Sequence, residues 1–165
     1  MKIFGIVGWK NSGKTGLVER LVGVISARGF SVSTIKHAHH TFDVDKMGKD
    51  SYRHRQAGAR EVLLSSKNRW ALMSELRDVN ESSLSSLISK LSPVDLVLIE
   101  GYKRDKHSKI EAHRLETRQP LLAWGDETII ALASNAINID VVIPIFNLDN
   151  TESIADFILS KVGLV

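Results

Sequence analysis

The chain has 165 residues, 22 Lys+Arg against 19 Asp+Glu, and no Cys. Hydrophobic residues at 43% and charged residues at 25% are ordinary globular values, so disorder and collagen are excluded and one domain over residues 1–165 is expected. Without Cys there are no disulfides, thiol nucleophiles or Cys-type zinc sites, no apolar run reaches the ~20 residues that span a bilayer, and the opening apolar run is too short for a signal peptide. A cytoplasmic protein with no membrane partner is the expectation.

Residues 2–8 read as a short buried strand, with Ile3, Phe4, Ile6 and Val7 bounded by Gly8. Directly after it, Gly8-Trp9-Lys10-Asn11-Ser12-Gly13-Lys14-Thr15 matches the Walker A pattern G-x-x-x-x-G-K-[ST] in full. The motif works only between a strand and a helix, and that is its place here. Gly8 permits the tight turn. Backbone N–H groups from Lys10 to Thr15 form a concavity for phosphate oxygens, and the helix start adds its dipole. Lys14 reaches the terminal phosphates, and the Thr15 hydroxyl is suited to Mg²⁺. The nucleotide-binding set is Gly8, Lys10, Asn11, Ser12, Gly13, Lys14, Thr15 and Gly16.

Residues 14–28 form the expected first helix, with Leu17, Val18, Leu21, Val22 and Ile25 on one face and Gly29 as its stop. Residues 30–36 are a second strand, expected to neighbour the first. Residues 37–49 look irregular, and residues 50–57 can form a short helix ended by Gly58. The window 36–60 holds six basic residues and three acids, so it carries the whole net charge of +3. So local an excess suits a small polyanion better than nucleic acid, which wants a broad basic face. The run His37-Ala38-His39-His40 has imidazoles that bind zinc or nickel, but with no Cys the set suits an anion pocket beside Arg53 and Arg55 better.

Residues 61–65 and 69–74 read as two strands about the turn 66–68. Leu84, Leu87, Ile88 and Leu91 mark a helix capped by Asn80 or a nearby Ser and followed by Pro93. Residues 94–99 are a near-continuous apolar run, as in a strand covered on both faces. It ends in Glu100, at the carboxyl edge where such sheets bind ligands. Glu100 is therefore the first choice to join Thr15 at a Mg²⁺ ion, with Asp45 or Asp43 as further candidates; Asp95 is a strand-start residue. Lys103, with Arg104 and Lys106, faces the same edge. A second anion or substrate site is assigned to His37, Arg53 and Lys103. Residues 129–133 and 141–145 repeat the buried-strand character. The last helix starts at Asp149-Asn150-Thr151-Glu152 and buries Ile154, Phe157, Ile158 and Val162. The alternation predicts a P-loop NTPase-type three-layer α/β fold. Its sheet is mainly parallel with helices on both faces, and residues 61–74 read as a hairpin.

Two further stretches narrow the reading. One is Lys36-His37-Ala38-His39-His40-Thr41-Phe42-Asp43-Val44-Asp45, continuing through Gly48-Lys49-Asp50-Ser51-Tyr52-Arg53-His54-Arg55-Gln56-Ala57-Gly58-Ala59; the other runs from Asp95 to Glu100-Gly101-Tyr102-Lys103. With the phosphate loop they resemble the molybdopterin-guanine dinucleotide biosynthesis adapter protein B (MobB) family over nearly the whole chain. The resemblance implies a dimeric GTP-binding adapter of molybdenum cofactor biosynthesis, with a β-hairpin extension to the core that residues 61–74 match; GTP is the implied cofactor, beside the Mg²⁺ expected at Thr15. It implies two partners: a molybdenum cofactor guanylyltransferase, and molybdopterin or its dinucleotide product. The preference for GTP rests on that resemblance, since no Asn-Lys-x-Asp sequence is present; Asn135 is the residue placed to meet the base. No residue clearly orients an attacking water, so hydrolysis is expected to be slow. A small-molecule P-loop kinase and a metallochaperone GTPase using His37, His39 and His40 are the competing readings.

Overall fold

A computed structural model describes residues 1–38, 42–136 and 138–165; His39 and His40 of the histidine run, Thr41 and Ile137 lie outside them. The chain forms two compact units, Met1–His37 with Leu87–Val165, and Ala38–Ser86.

The first unit is built on six parallel strands: β1 (Lys2–Val7), β2 (Val32–Lys36), β5 (Leu96–Glu100), β6 (Lys109–His113), β7 (Ile129–Ser134) and β8 (Ile145–Asn147). Their order is β2-β5-β1-β6-β7-β8. The expectation that β2 neighbours β1 is corrected, because β5 lies between them. Ile6 pairs with Glu100 on one side and Ile110 on the other. Strand pleating turns Phe4, Ile6, Leu96, Leu98, Ile110, Ala112, Ala131 and Ala133 to one face. There they meet Leu17, Leu21 and Ile25 of α1 (Lys14–Ala27) and Ile154, Ala155 and Ile158 of α4 (Thr151–Lys161) in one core. Each leucine, isoleucine or phenylalanine among them contributes about 1.5–3 kcal/mol on full burial. The Phe157 ring of α4 meets Phe4 edge-on, centroids 6.4 Å apart. Asn150 caps α4, its side chain accepting from Ser153 N at 3.2 Å.

The other face buries Val7, Val97, Ile99 and Leu132, together with Lys109, Glu111 and His113. Strand β6 was not anticipated from the sequence, because its polar residues alternate with only Ile110 and Ala112. Buried polar groups need partners, and each has one. Lys109 Nζ donates to Asp105 O and Thr128 Oγ1, with Asp126 3.4 Å away. Glu111 accepts from Leu122 N and Ala123 N, both at 3.0 Å, at the 3₁₀ turn Leu122–Trp124. His113 Nδ1 lies 2.9 Å from Ser134 Oγ. The strand expected over residues 141–145 is β8, shifted toward the C-terminus. Pro144 has no N–H to donate, and only its carbonyl serves the sheet, accepting from Leu132 N. Asp95 takes its expected strand-start role, accepting from the backbone and hydroxyl of Ser31.

The second unit holds α2 (Asp50–Gln56) and the antiparallel pair β3 (Glu61–Ser65) and β4 (Trp70–Ser74), with Ser65 opposite Trp70. The short helix α3 (Leu84–Ile88) follows, Ser83 Oγ accepting from Ser86 N at 3.2 Å in the expected capping role. Val62 of the hairpin is buried, but Leu63, Leu64, Trp70 and Leu72 are exposed.

Candidate functional site

The loop of residues 8–15 leaves the centre of the sheet at its carboxyl edge and runs into α1. Gly8 has φ 148°, and a Cβ there would lie 2.3 Å from Ala112 O, so no side chain fits. Asn11 is left-handed, φ 63°, and Gly13 has φ 92°. Gly13 is the N-cap of α1, and no side chain caps this helix. Its first N–H groups therefore face outward with the positive end of the dipole, the arrangement that binds anions. The hydroxyl of Ser12 is buried without a hydrogen-bond partner among the described residues.

Lys14 Nζ donates to Trp9 O at 2.6 Å, folding the side chain over its own loop. Burial, then the nearby Lys103 and Lys36, lower its pKa, partly opposed by Glu100. Thr15 Oγ1 donates to Glu100 Oε1 at 2.9 Å. The parallel pairing of β1 with β5 makes that contact, since it sets Glu100 beside the strand that feeds the loop. Lys36, at the end of β2, lies 3.3 Å from the same carboxylate oxygen. Lys10 and Asn11 are exposed, and Gly16 sits in the first turn of α1 beside Arg20.

A wall rises beyond the loop. Trp9 Nε1 donates to Pro120 O at 2.7 Å, and Lys103 Nζ stands 4.4 Å over the Trp9 ring. Burial lowers the Lys103 pKa, with Glu111 opposing. A cleft of about 600 Å³ is lined by Trp9, Lys10, Asn11, Glu116, Thr117 and Gln119. Lys103 also borders a cleft of about 950 Å³ that includes Lys106 and the exposed Trp124. His37 stacks on Tyr102, ring centroids 4.5 Å apart, and Gly101 at φ 95° lets the chain pass His37.

Of the assigned residues, Thr15 and Glu100 are thus in direct contact. His37 and Lys103 sit in the first unit, at the carboxyl ends of β2 and β5. Arg53 is on α2 in the second unit and exposed. Asp45 is also in the second unit, where Oδ1 accepts from Arg55 at 2.8 Å. Asp43 meets the same guanidinium at 2.9 Å, and these carboxylates raise the Arg55 pKa. Asn135, assigned to the base, spends its side chain nearby: Oδ1 accepts from Leu115 N, and Nδ2 donates to Glu116. Sequence reasoning missed Arg114. A Cβ at Gly13 would lie 3.0 Å from Arg114 Nε, so the guanidinium lies against the phosphate loop. No motif announces it, because its place depends on the pairing of β6.

A parallel α/β sheet with a Walker loop at its carboxyl edge defines the P-loop class of fold. The family model "MobB: Molybdopterin guanine dinucleotide synthesis protein B" matches residues 3–135. The chain is 38% identical over 161 residues to the molybdopterin-guanine dinucleotide biosynthesis adapter protein of Escherichia coli (strain K12), covering 95% of this chain and 91% of that one. It is 40% identical over 157 residues to the adapter protein of the same description from Haemophilus influenzae, covering 94% and 86%. The crystal structure of Bacillus subtilis MobB superimposes with a TM-score of 0.78 at 26% identity, covering 98% of each chain. The chain belongs to the molybdopterin guanine dinucleotide synthesis protein B family and has that family's adapter role in molybdopterin guanine dinucleotide biosynthesis.

Proposed function

We propose that the chain binds GTP with Mg²⁺ at residues 8–15 and supplies it to a partner guanylyltransferase acting on molybdopterin. The observation that carries this reading is the Thr15–Glu100 contact at the uncapped start of α1. Fit favours the group. Uncapped N–H groups and the buried Ser12 hydroxyl suit phosphate oxygens, and a hydroxyl beside a carboxylate is the hard oxygen pair that Mg²⁺ prefers. When bound, the ion neutralises phosphate charge.

The chain's own residues act as follows. Residues Lys10 to Thr15 orient phosphates through backbone N–H groups. Lys14 gives up its bond to Trp9 O and supplies an ammonium. Thr15 and Glu100 would hold the ion, and Arg114 adds a second cation from the other side of the loop. Asp45 and Asp43, held by Arg55, leave the metal role to Glu100 in this reading. His37 and Lys103 remain the proposed contacts for a second anion, the pterin phosphate or the dinucleotide product; Arg53, in the second unit, is a separate candidate for such an anion. Hydrolysis by the chain alone is slow, well below the ~1–10³ s⁻¹ of typical enzymes. Two copies pair through the exposed apolar residues of β3 and β4. Calorimetry with GTP and Mg²⁺ on the wild type and Lys14→Ala tests the site: the variant should bind more weakly, and equal affinity would remove it from residues 8–15.

A further inference from the structure

We infer that Lys36 is a built-in counter-ion of the nucleotide site: its ammonium occupies the Thr15 and Glu100 oxygens that would hold Mg²⁺, and it gives them up in exchange for the ion. The inference rests on the reading that residues 8–15 hold the phosphates and that Thr15 and Glu100 hold the metal. The sheet builds the contact. Strand β2 pairs with β5 in parallel, and Lys36 stands opposite Glu100 at the last position of each strand. The two side chains therefore leave the carboxyl edge side by side. They differ in burial: the Glu100 side chain is 10% exposed and that of Lys36 58%. A carboxylate so buried needs partners, while the lysine has water open to it.

Lys36 Nζ lies 3.3 Å from Glu100 Oε1 and donates to Thr15 Oγ1, also at 3.3 Å. Thr15 Oγ1 in turn donates to Glu100 Oε1 at 2.9 Å. The ammonium thus takes a lone pair of the Thr15 hydroxyl and faces the carboxylate oxygen beside it. These are the hard oxygen acceptors that a Mg²⁺ ion uses, so lysine and metal compete for the same atoms. Both 3.3 Å contacts exceed the ~2.7–2.9 Å of a tight charge-assisted hydrogen bond, which leaves the ammonium easy to displace. Lys14 lies within the field of both Glu100 and Lys36, so the phosphate-binding lysine, the carboxylate and the counter-ion share one site. Without metal, Lys36 neutralises Glu100, which would otherwise repel the phosphates held at Lys14. With metal at Thr15 and Glu100, that service is no longer needed and Lys36 withdraws toward solvent. Lys36 therefore sets how strongly nucleotide binding depends on Mg²⁺, and it does so through Glu100.

The test is calorimetry of GTP binding to the full chain, in EDTA and at saturating Mg²⁺, on the wild type, Lys36→Met, Lys36→Arg and the double variant Lys36→Met/Glu100→Gln. Lys36→Met should weaken binding in EDTA roughly 10-fold, as for the loss of one half-buried charge pair, and leave binding in Mg²⁺ within a few fold. Its ratio of affinity with Mg²⁺ to affinity in EDTA therefore rises. Lys36→Arg keeps the charge and should keep the wild-type ratio. The double variant should recover the wild-type affinity in EDTA, because the carboxylate that needed neutralising is gone, and should lose the gain from Mg²⁺. Equal losses for Lys36→Met in both conditions would make Lys36 a plain phosphate contact and overturn the inference. So would an unchanged ratio, a Lys36→Arg variant that behaves like Lys36→Met, or a double variant that stays as weak in EDTA as Lys36→Met. A wild type that binds GTP equally with and without Mg²⁺ removes the metal reading, and one that binds no GTP removes the phosphate-loop reading; either takes this inference with it.

Discussion

Lys14 Nζ donates to Trp9 O, which aims the ammonium along the loop. Removing it in Lys14→Ala should weaken GTP binding by about 1.5–3 kcal/mol, the worth of a charge-assisted hydrogen bond. Its pKa is lowered chiefly by burial. As pH rises through that lowered value the ammonium is lost, so GTP affinity should start to fall at a lower pH than for an ordinary lysine. A titration of affinity between neutral and alkaline pH checks this, and a flat profile there would contradict it. Glu100→Gln keeps the shape but removes the anion beside Thr15. It should lower affinity measured with Mg²⁺ more than affinity measured with EDTA, and equal losses would return the metal role to another acid. Gly8→Ala places a Cβ against Ala112 O at a φ of 148°. The strain is on the order of 1–3 kcal/mol, and thermal melting should fall by about 2–4 °C for each kcal/mol in a chain of this size.

Elements differ in how plainly the sequence announces them. Strand β1, the loop and α1 are contiguous, and each carries its own signal: an apolar run, the Walker spacing, a helical apolar face. Glu100 was found because an acid closing an apolar strand stands at the ligand edge whatever the register. Strand β6 was not found, because what makes Lys109, Glu111 and His113 tolerable inside lies elsewhere in the chain, at Asp126 and Thr128, at the turn from Leu122, and at Ser134. The sheet order was hidden for the same reason, and with it the approach of Arg114 to Gly13 and of Asn135 to Glu116. The hairpin β3–β4 was legible from its two short runs and its turn. Two strands alone are marginal in water, and Leu63, Leu64, Trp70 and Leu72 leave an apolar surface. Wild-type chain should sediment as a dimer and Trp70→Glu as a monomer, and a wild-type monomer at working concentration would contradict pairing through this hairpin.

At the scale of the molecule, one compact unit carries the Walker loop, Glu100, Arg114 and the cleft at Glu116, while the basic residues Arg53 and Arg55 belong to the other. No helix is long and apolar enough to cross a membrane among the described residues. The proposed adapter role requires that nucleotide held at residues 8–15 reach the guanylyltransferase. The most direct measurement is dinucleotide formation by purified guanylyltransferase and molybdopterin at limiting GTP, with wild-type chain, Lys14→Ala chain or neither. Wild type should raise the rate, and Lys14→Ala should leave it near the rate without adapter. Equal stimulation by the two proteins would contradict the account.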